Sequence, residues 1–261
     1  MLILLSEKSN TLKFRLLLIL LFVNAVMFSQ SRIDSAMFIP MFKGVIAYQI
    51  PGGDLSRRFG NNFSTGGGFQ IKTKSNILFS AECTYLFGNK LKNEATSVLN
   101  AIMTSDGQII DQNGEFATVL LTERGFYAGG RTGLIIPVFG SNPNSGVLIT
   151  GGLGFLQHKI RIENDGNRAP QILNEYKKGY DKLTNGLFAT ESIGYMYIGK
   201  NQILNFAVEF EFYQAWTKCR RNFNFDTMEK DDEQRLDMLG GLKISWLIPL
   251  YKRMADGYYY N

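Results

Sequence analysis

Seven charged residues fall where the alternation of a β-strand would turn them all to one face: Lys43, Lys72, Glu82, Arg131, Glu209, Glu211 and Lys243. Opposite charges crowded on one surface neutralise one another, so the chemistry expected of this set is electrostatic, an ion-pair network. Proton transfer would fall to His158, the single histidine. A general base needs its partner within hydrogen-bond reach, and no Ser or Asp stands beside His158 in sequence. It therefore reads as a buried or rim histidine with ordinary hydrogen bonds. One histidine without Cys or Asp at ligand spacing predicts no metal site. Asp231, Asp232 and Glu233 could hold a divalent cation between anionic lipids, but three adjacent acids usually face water. Gly66-Gly67-Gly68 and Gly151-Gly152-Leu153-Gly154 lack the following helix and the Gly-Lys-Ser/Thr ending of a phosphate loop. No cofactor is expected.

The elements that must hold these residues alternate with period two, which sends successive side chains to opposite faces. The last runs from Leu236 to Leu250, with Leu242, Ile244, Trp246 and Ile248 on one face and Asp237, Lys243 and Ser245 on the other. Before it, Leu204, Phe206, Val208, Phe210 and Phe212 oppose Asn205, Ala207, Glu209, Glu211 and Tyr213. Phe42, Ile46 and Tyr48 oppose Lys43 and Gln49; Phe63, Phe69 and Ile71 oppose Ser64, Gln70 and Lys72; Ile77, Phe79 and Tyr85 oppose Ser80, Glu82 and Thr84. Gly125–Val138 and Val147–Ile162 follow the rule, the latter turning His158 to the polar side. Leu187–Ile198 is the least regular, because Glu191 sits among its apolar positions. A soluble core would not tolerate seven mid-strand charges. An eight-stranded lumen would, with lipid on the apolar side.

The expected fold is all-β: an eight-stranded antiparallel up-and-down transmembrane β-barrel with long extracellular loops. Three connections are short (Lys74–Asn76, Phe139–Gly146, Gly199–Gln202) and four are long (Ile50–Asn62, Gly88–Glu123, Glu163–Leu183, Thr217–Arg235). Short turns belong on the periplasmic side. Tyr197, Trp246 and Tyr251 would form one aromatic girdle, and Phe63, Phe87, Phe126, Tyr213 and Trp216 the other. Cys83 is placed mid-strand facing lipid and Cys219 near the extracellular rim, too far apart in depth to bridge.

Residues 1–29 read as a secretory signal: Lys8, Lys13 and Arg15 precede an apolar run from Leu16 to Phe28, too short to span a bilayer. Residues 30–261 would be the barrel, its strands within 36–251, followed by a short periplasmic tail. The formal charge of +5 falls to +3 without the signal, which holds three of the positive and one of the negative residues. That mild excess is no nucleic-acid footprint, and no later segment is apolar enough for a helical span.

The longest connection is less ordinary. Ala95, Val98, Leu99 and Ile102 share a face of a short helix over Glu94–Met103. Gln108–Ile110 and Phe116–Leu121 flank Asp111-Gln112-Asn113-Gly114, a hairpin signal. Ile109, Ile110, Phe116, Val119 and Leu121 would expose apolar surface unless they fold over the barrel or meet a partner.

Over residues 36 to 251 the pattern resembles the eight-stranded outer-membrane barrels typified by OmpA and OmpX; the likeness is architectural. Met27-Phe28-Ser29-Gln30, Pro51-Gly52-Gly53-Asp54-Leu55 and Gly179-Tyr180-Asp181-Lys182-Leu183 resemble segments of Bacteroidota barrels, several of which accompany type IX secretion or barrel-assembly complexes. The resemblance implies a bacterial outer-membrane location and a non-enzymatic docking or accessory role beside other membrane proteins. Two alternatives stand: a barrel enzyme acting on lipid A or peptides through His158, and a small pore. Arg57, Arg58, Arg168, Lys218, Arg220 and Arg221, if gathered on one rim, could hold lipopolysaccharide phosphates; dispersed, they are solvated loop.

Overall fold

A computed structural model describes residues 35–139, 142–199 and 204–250. The signal segment 1–29, the tail beyond 250 and the apices of two short turns lie outside the described residues. Eight long strands follow one another: β1 Ile39–Gly53, β2 Asn62–Lys72, β3 Ile77–Gly88, β4 Val119–Ile136, β5 Gly146–Asn164, β6 Thr184–Ile198, β7 Asn205–Cys219 and β8 Gln234–Pro249. Each pairs antiparallel with its sequence neighbour, and β1 closes on β8 from Met41↔Pro249 to Gly53↔Asp237. Closure gives each barrel strand a ladder on both sides, leaving no edge, as a hydrocarbon environment requires. In the turn before β3, Asn76 takes a left-handed conformation (φ 61°), while the Thr73 and Ile77 backbones bond.

The alternation resolves inside out. Leu153, Leu187 and Phe210 point outward and are 67–70% exposed, whereas Lys243 and Glu82 point inward at 1% and 6%. Apolar outside and charged inside is stable only where the outer solvent is lipid. The chain is a transmembrane β-barrel of eight strands. No helix of the described residues is long and apolar enough to cross a membrane, which says nothing against strands. Aromatic rings line the long-loop rim, where Tyr48, Phe63 and Phe87 meet in series at centroid distances of 5.1 and 6.3 Å. Tyr213 departs from the expected girdle: it is inward and 2% exposed, because it shares the parity of Glu209 and Glu211.

The long connections are shorter than the sequence pattern implies. β1 continues to Gly53, β4 begins at Val119, and β5 and β7 run to Asn164 and Cys219. Beyond the hydrocarbon no lipid enforces apolar alternation, yet paired backbone still satisfies its hydrogen bonds better than open loop. The β4–β5 ladder reaches Val119↔Asn164, well past its neighbours, and forms a projecting hairpin.

Loops fold against that hairpin. A short helix at Asn93–Thr96 and a 3-10 turn at Ser97–Ile102 bury Ala95, Val98 and Leu99. A two-stranded pair, Ile109–Ile110 with Phe116–Ala117, turns at Gly114, whose φ is +80°. These join Ile160, Ile162, Ala169, Ile172 and Tyr180 in one apolar cluster continuous with Tyr127 and Leu239 in the upper lumen. The barrel therefore carries a packed dome on its long-loop side.

Candidate functional site: the filled lumen and the long-loop rim

The lumen is filled in layers. Nearest the short turns, Ile39, Met41, Leu78, Ile135, Leu148, Met196, Ile198 and Leu247 form a buried apolar plug. Above it lies the charge belt. Lys43 Nζ is 2.6 Å from Glu82 Oε2, and Arg131 Nη2 is 2.8 Å from Glu82 Oε1 and 3.1 Å from Glu211 Oε2. Lys243 Nζ lies 3.3 Å from both Glu209 and Glu211 and 3.8 Å from Glu82. Three cations thus face three carboxylates, contributed by β1, β3, β4, β7 and β8. Neutral donors complete the belt: Ser192 Oγ donates to Glu209 at 2.7 Å and Gln49 Nε2 to Glu211 at 3.0 Å. Gly152 gives Arg131 its room, since a Cβ there would sit 2.7 Å from Arg131 Cγ.

Lys72 does not belong to this network. It ends β2 at the short-turn side, where its ammonium donates to Asn144 Oδ1 at 2.9 Å and to the Met37 and Thr73 carbonyls at 3.3 Å. Alternation correctly turned it inward; depth separated it from the carboxylates.

Over the charge belt, Tyr127, Phe188 and Tyr213 pack as an aromatic layer with centroids 5.1–6.3 Å apart. Arg131 donates to the Tyr213 hydroxyl, which donates to Glu211 at 3.0 Å. Next comes a cluster that sequence reasoning missed. Asp237 Oδ2 lies 2.9 Å from His158 Nε2 and accepts from Thr217 Oγ1 at 2.6 Å, while Asp237 Oδ1 accepts from Arg58 Nη2 at 2.6 Å. Glu123, also buried, accepts from Asn62 Nδ2 at 3.1 Å. The short helix Leu55–Arg58, with Phe59, folds down as a cap: Leu55 and Phe59 are 1% exposed, and the Phe59 ring meets His158 edge-on at 5.6 Å. An Asp–His pair can in principle move protons. Here both side chains are enclosed, and His158 Nδ1 has no hydrogen-bond partner among the described residues. The geometry describes a polar pin joining the cap to β5, β7 and β8.

The arginines proposed for phosphate binding do not converge. Arg58 is 7% exposed and committed to Asp237, so it cannot reach a lipid. Arg221 is held by Asp181 through two bonds of 2.5 and 2.7 Å, which raise its guanidinium above the ordinary range. Arg57 and Arg168 stay exposed on separate loops, near Asp54 and Glu115. Arg220 donates to Asn185 Oδ1 at 2.6 Å on the outer wall. Two of the proposed six, Lys218 and Arg220, do share that wall, with three cations the sequence reading did not single out. Arg124 and Lys159 face each other in register, with Arg161, Lys218 and Arg220 nearby in height. They stand one to three outward positions above Phe126, Phe155 and Trp216. Outward parity combined with strand height was the signal that could have found Arg124, Lys159 and Arg161.

In the dome, Ile109 is 2% exposed, and Val119 and Leu121 pack against the cluster; Ile110 and Phe116 remain 49% and 63% exposed as a cross-strand pair. Asp231 and Glu233 lie against Arg235, and Asp232 against Lys218 and Lys230. Cys83 is outward and Cys219 buried, both as free thiols.

No family model and no curated protein matches the chain. Solved structures do align. Neisserial surface protein A aligns over 81% of this chain and 97% of its own, at 9% identity and a TM-score of 0.41. Ail, the attachment invasion locus protein of Yersinia pestis, aligns over 81% and 99%, at 7% identity and 0.42. The outer membrane protein OprG from Pseudomonas aeruginosa aligns over 82% and 96%, at 10% identity and 0.30. These are loose superpositions, and the barrel assignment rests on the strand register above.

Proposed function

We propose that this chain is a non-enzymatic bacterial outer-membrane barrel that docks other proteins through its long-loop dome, as an accessory subunit of a secretion or assembly complex. The observation that carries the reading is the filled lumen. Apolar plug, charge belt, aromatic layer, polar pin and cap follow one another along the barrel axis, so its working surface is the outside. The Ile110–Phe116 pair is an exposed apolar cross-strand patch on the dome and the natural anchor for a partner. Arg124, Lys159, Arg161, Lys218 and Arg220 would seat the barrel among lipopolysaccharide phosphates at the headgroup level, just above the aromatic rings. Replacing Ile110 and Phe116 together by Asp is the test. Purified from gentle detergent, the wild type should bring stoichiometric membrane proteins with it, and the variant should fold yet come alone. Unchanged recovery of partners by the variant would refute docking through the dome. In planar bilayers the protein should give no steady conductance; regular channels would overturn the filled-lumen argument.

A further inference from the structure

Glu191 is the one charge on the lipid-facing wall between the aromatic rims, among the described residues. It points outward from β6, in register with Gly151 of β5 and Phe212 of β7. Leu187, paired with Trp216, lies four residues above it, and Tyr197, paired with Phe206, six below. At ~3.3 Å per residue and a tilt of roughly 40°, four residues descend about 10 Å below the Trp216 level, well into the hydrocarbon. No hydrogen bond or ion pair involves its carboxylate among the described residues. An ionisable group at this depth is unfavourable in lipid and marks function by default.

The wall beside it is recessed. A groove of about 950 Å³ opens toward lipid, its floor at Gly151 and Thr132 and its flanks at Leu134, Ile149, Ile193 and Phe210. The barrel itself does not require that floor to be bare. A Cβ on Gly151 or on neighbouring Gly130 would meet nothing closer than a carbonyl oxygen at 3.9 Å. Inward Gly152 is the opposite case, where Arg131 fills the space. The groove floor at Gly151 thus lacks a side chain that the barrel packing would admit.

Charge selects the occupant. Acyl chains can fill the groove but offer the carboxylate no donor, and amine headgroups lie at the surface. A second copy has no lipid-facing cation at this depth among the described residues, and self-pairing would oppose Glu191 to Glu191. We propose that the Glu191 groove is a lateral docking site for a transmembrane segment of a different membrane protein that presents Lys or Arg at mid-bilayer. This rests on the transmembrane fold and not on docking by the loop dome.

The test places the photo-crosslinking residue p-benzoylphenylalanine at Thr132 in living cells, with Ile46 on the opposite wall as control. The proposal expects a protein adduct from position 132 alone, reduced at least tenfold by Glu191→Leu. Glu191→Lys should abolish it, and reversing the partner's mid-span Lys or Arg to Glu in that background should restore it. Refolded alone into phosphatidylcholine vesicles, the Glu191→Leu barrel should resist urea at least as well as wild type, with a folded-to-unfolded ratio raised by up to about tenfold. An adduct indifferent to Glu191, adducts only to lipid or to a second copy, no adduct, or a less stable Glu191→Leu barrel would each overturn the proposal. Replacing Ile110 and Phe116 should leave the adduct intact, so loss of dome docking and loss of groove docking are read separately.

Discussion

Replacing Glu82 by Gln removes one of three negative charges from a belt that holds three positive ones. Lys43 loses its partner at 2.6 Å and Arg131 its partner at 2.8 Å, while Lys243 loses a carboxylate at 3.8 Å. All these side chains are nearly inaccessible, so water cannot replace what is lost. Breaking a buried pair from one side costs about 3–5 kcal/mol, since it leaves an uncompensated charge. That is a hundred-fold or greater fall in the folded-to-unfolded ratio. Removing Lys43 as well, by Lys43→Met, leaves Arg131 and Lys243 facing Glu209 and Glu211, and balance returns. The double variant should therefore lie within about 2 kcal/mol of wild type, with a coupling energy of at least ~2 kcal/mol. Urea unfolding from phosphatidylcholine vesicles would measure this. Trp216 and Trp246, both on the lipid face, would report the transition by fluorescence. Additive losses, or a Glu82→Gln barrel within 0.5 kcal/mol of wild type (roughly the scatter of ordinary surface changes), would refute the claim that the belt is a coupled network.

Two glycines one residue apart should behave oppositely: Gly152→Val, forced against Arg131, should destabilise the barrel by about 1–3 kcal/mol or prevent refolding, whereas outward Gly151→Val should leave vesicle stability nearly unchanged. Asp237→Ala strips the partner from Arg58, His158 and Thr217 together; a loss of about 3–5 kcal/mol and faster protease cleavage around Leu55–Phe59 should follow. His158→Ala should lose less, about 1–3 kcal/mol, because Arg58 and Thr217 still hold Asp237. Changing Arg124, Lys159 and Arg161 to Gln should weaken the barrel by about 1 kcal/mol per residue in anionic vesicles and far less in zwitterionic ones; equal losses in both would remove the phosphate-seating role.

Strand identity and facing were legible because alternation is local: each of the six belt charges and His158 fell on the inward parity. Height along the barrel axis was not legible in the same way. Lys72 and Lys43 share a face, yet one meets Glu82 and the other the carbonyls of the short-turn end. Arg58 read as loop because the pattern stops at the membrane rim, while Leu55 and Phe59 draw it into the lumen. The His158–Asp237 contact spans 79 residues and joins strands that are not neighbours in the wall. Only a register counted upward from the short turns would have set both at one level. The same count would have moved Tyr213 from the girdle to the aromatic layer.

Glu82 and Glu191 show what position does to one side chain type. Both sit mid-strand within the membrane. Glu82 turns inward and meets three cations; Glu191 turns outward and meets none among the described residues. The inner carboxylate is explained by the fold, since a narrow lumen of mixed charges is stable only when the charges balance. The outer one is not: an apolar residue there would suit both lipid and strand better. A carboxylate that opposes the stability of the isolated barrel, beside a recess the barrel packing does not require, is what a docking site for a cationic partner would need. In a barrel whose interior is already full, the lipid-facing wall is as credible a place for recognition as the loops above it.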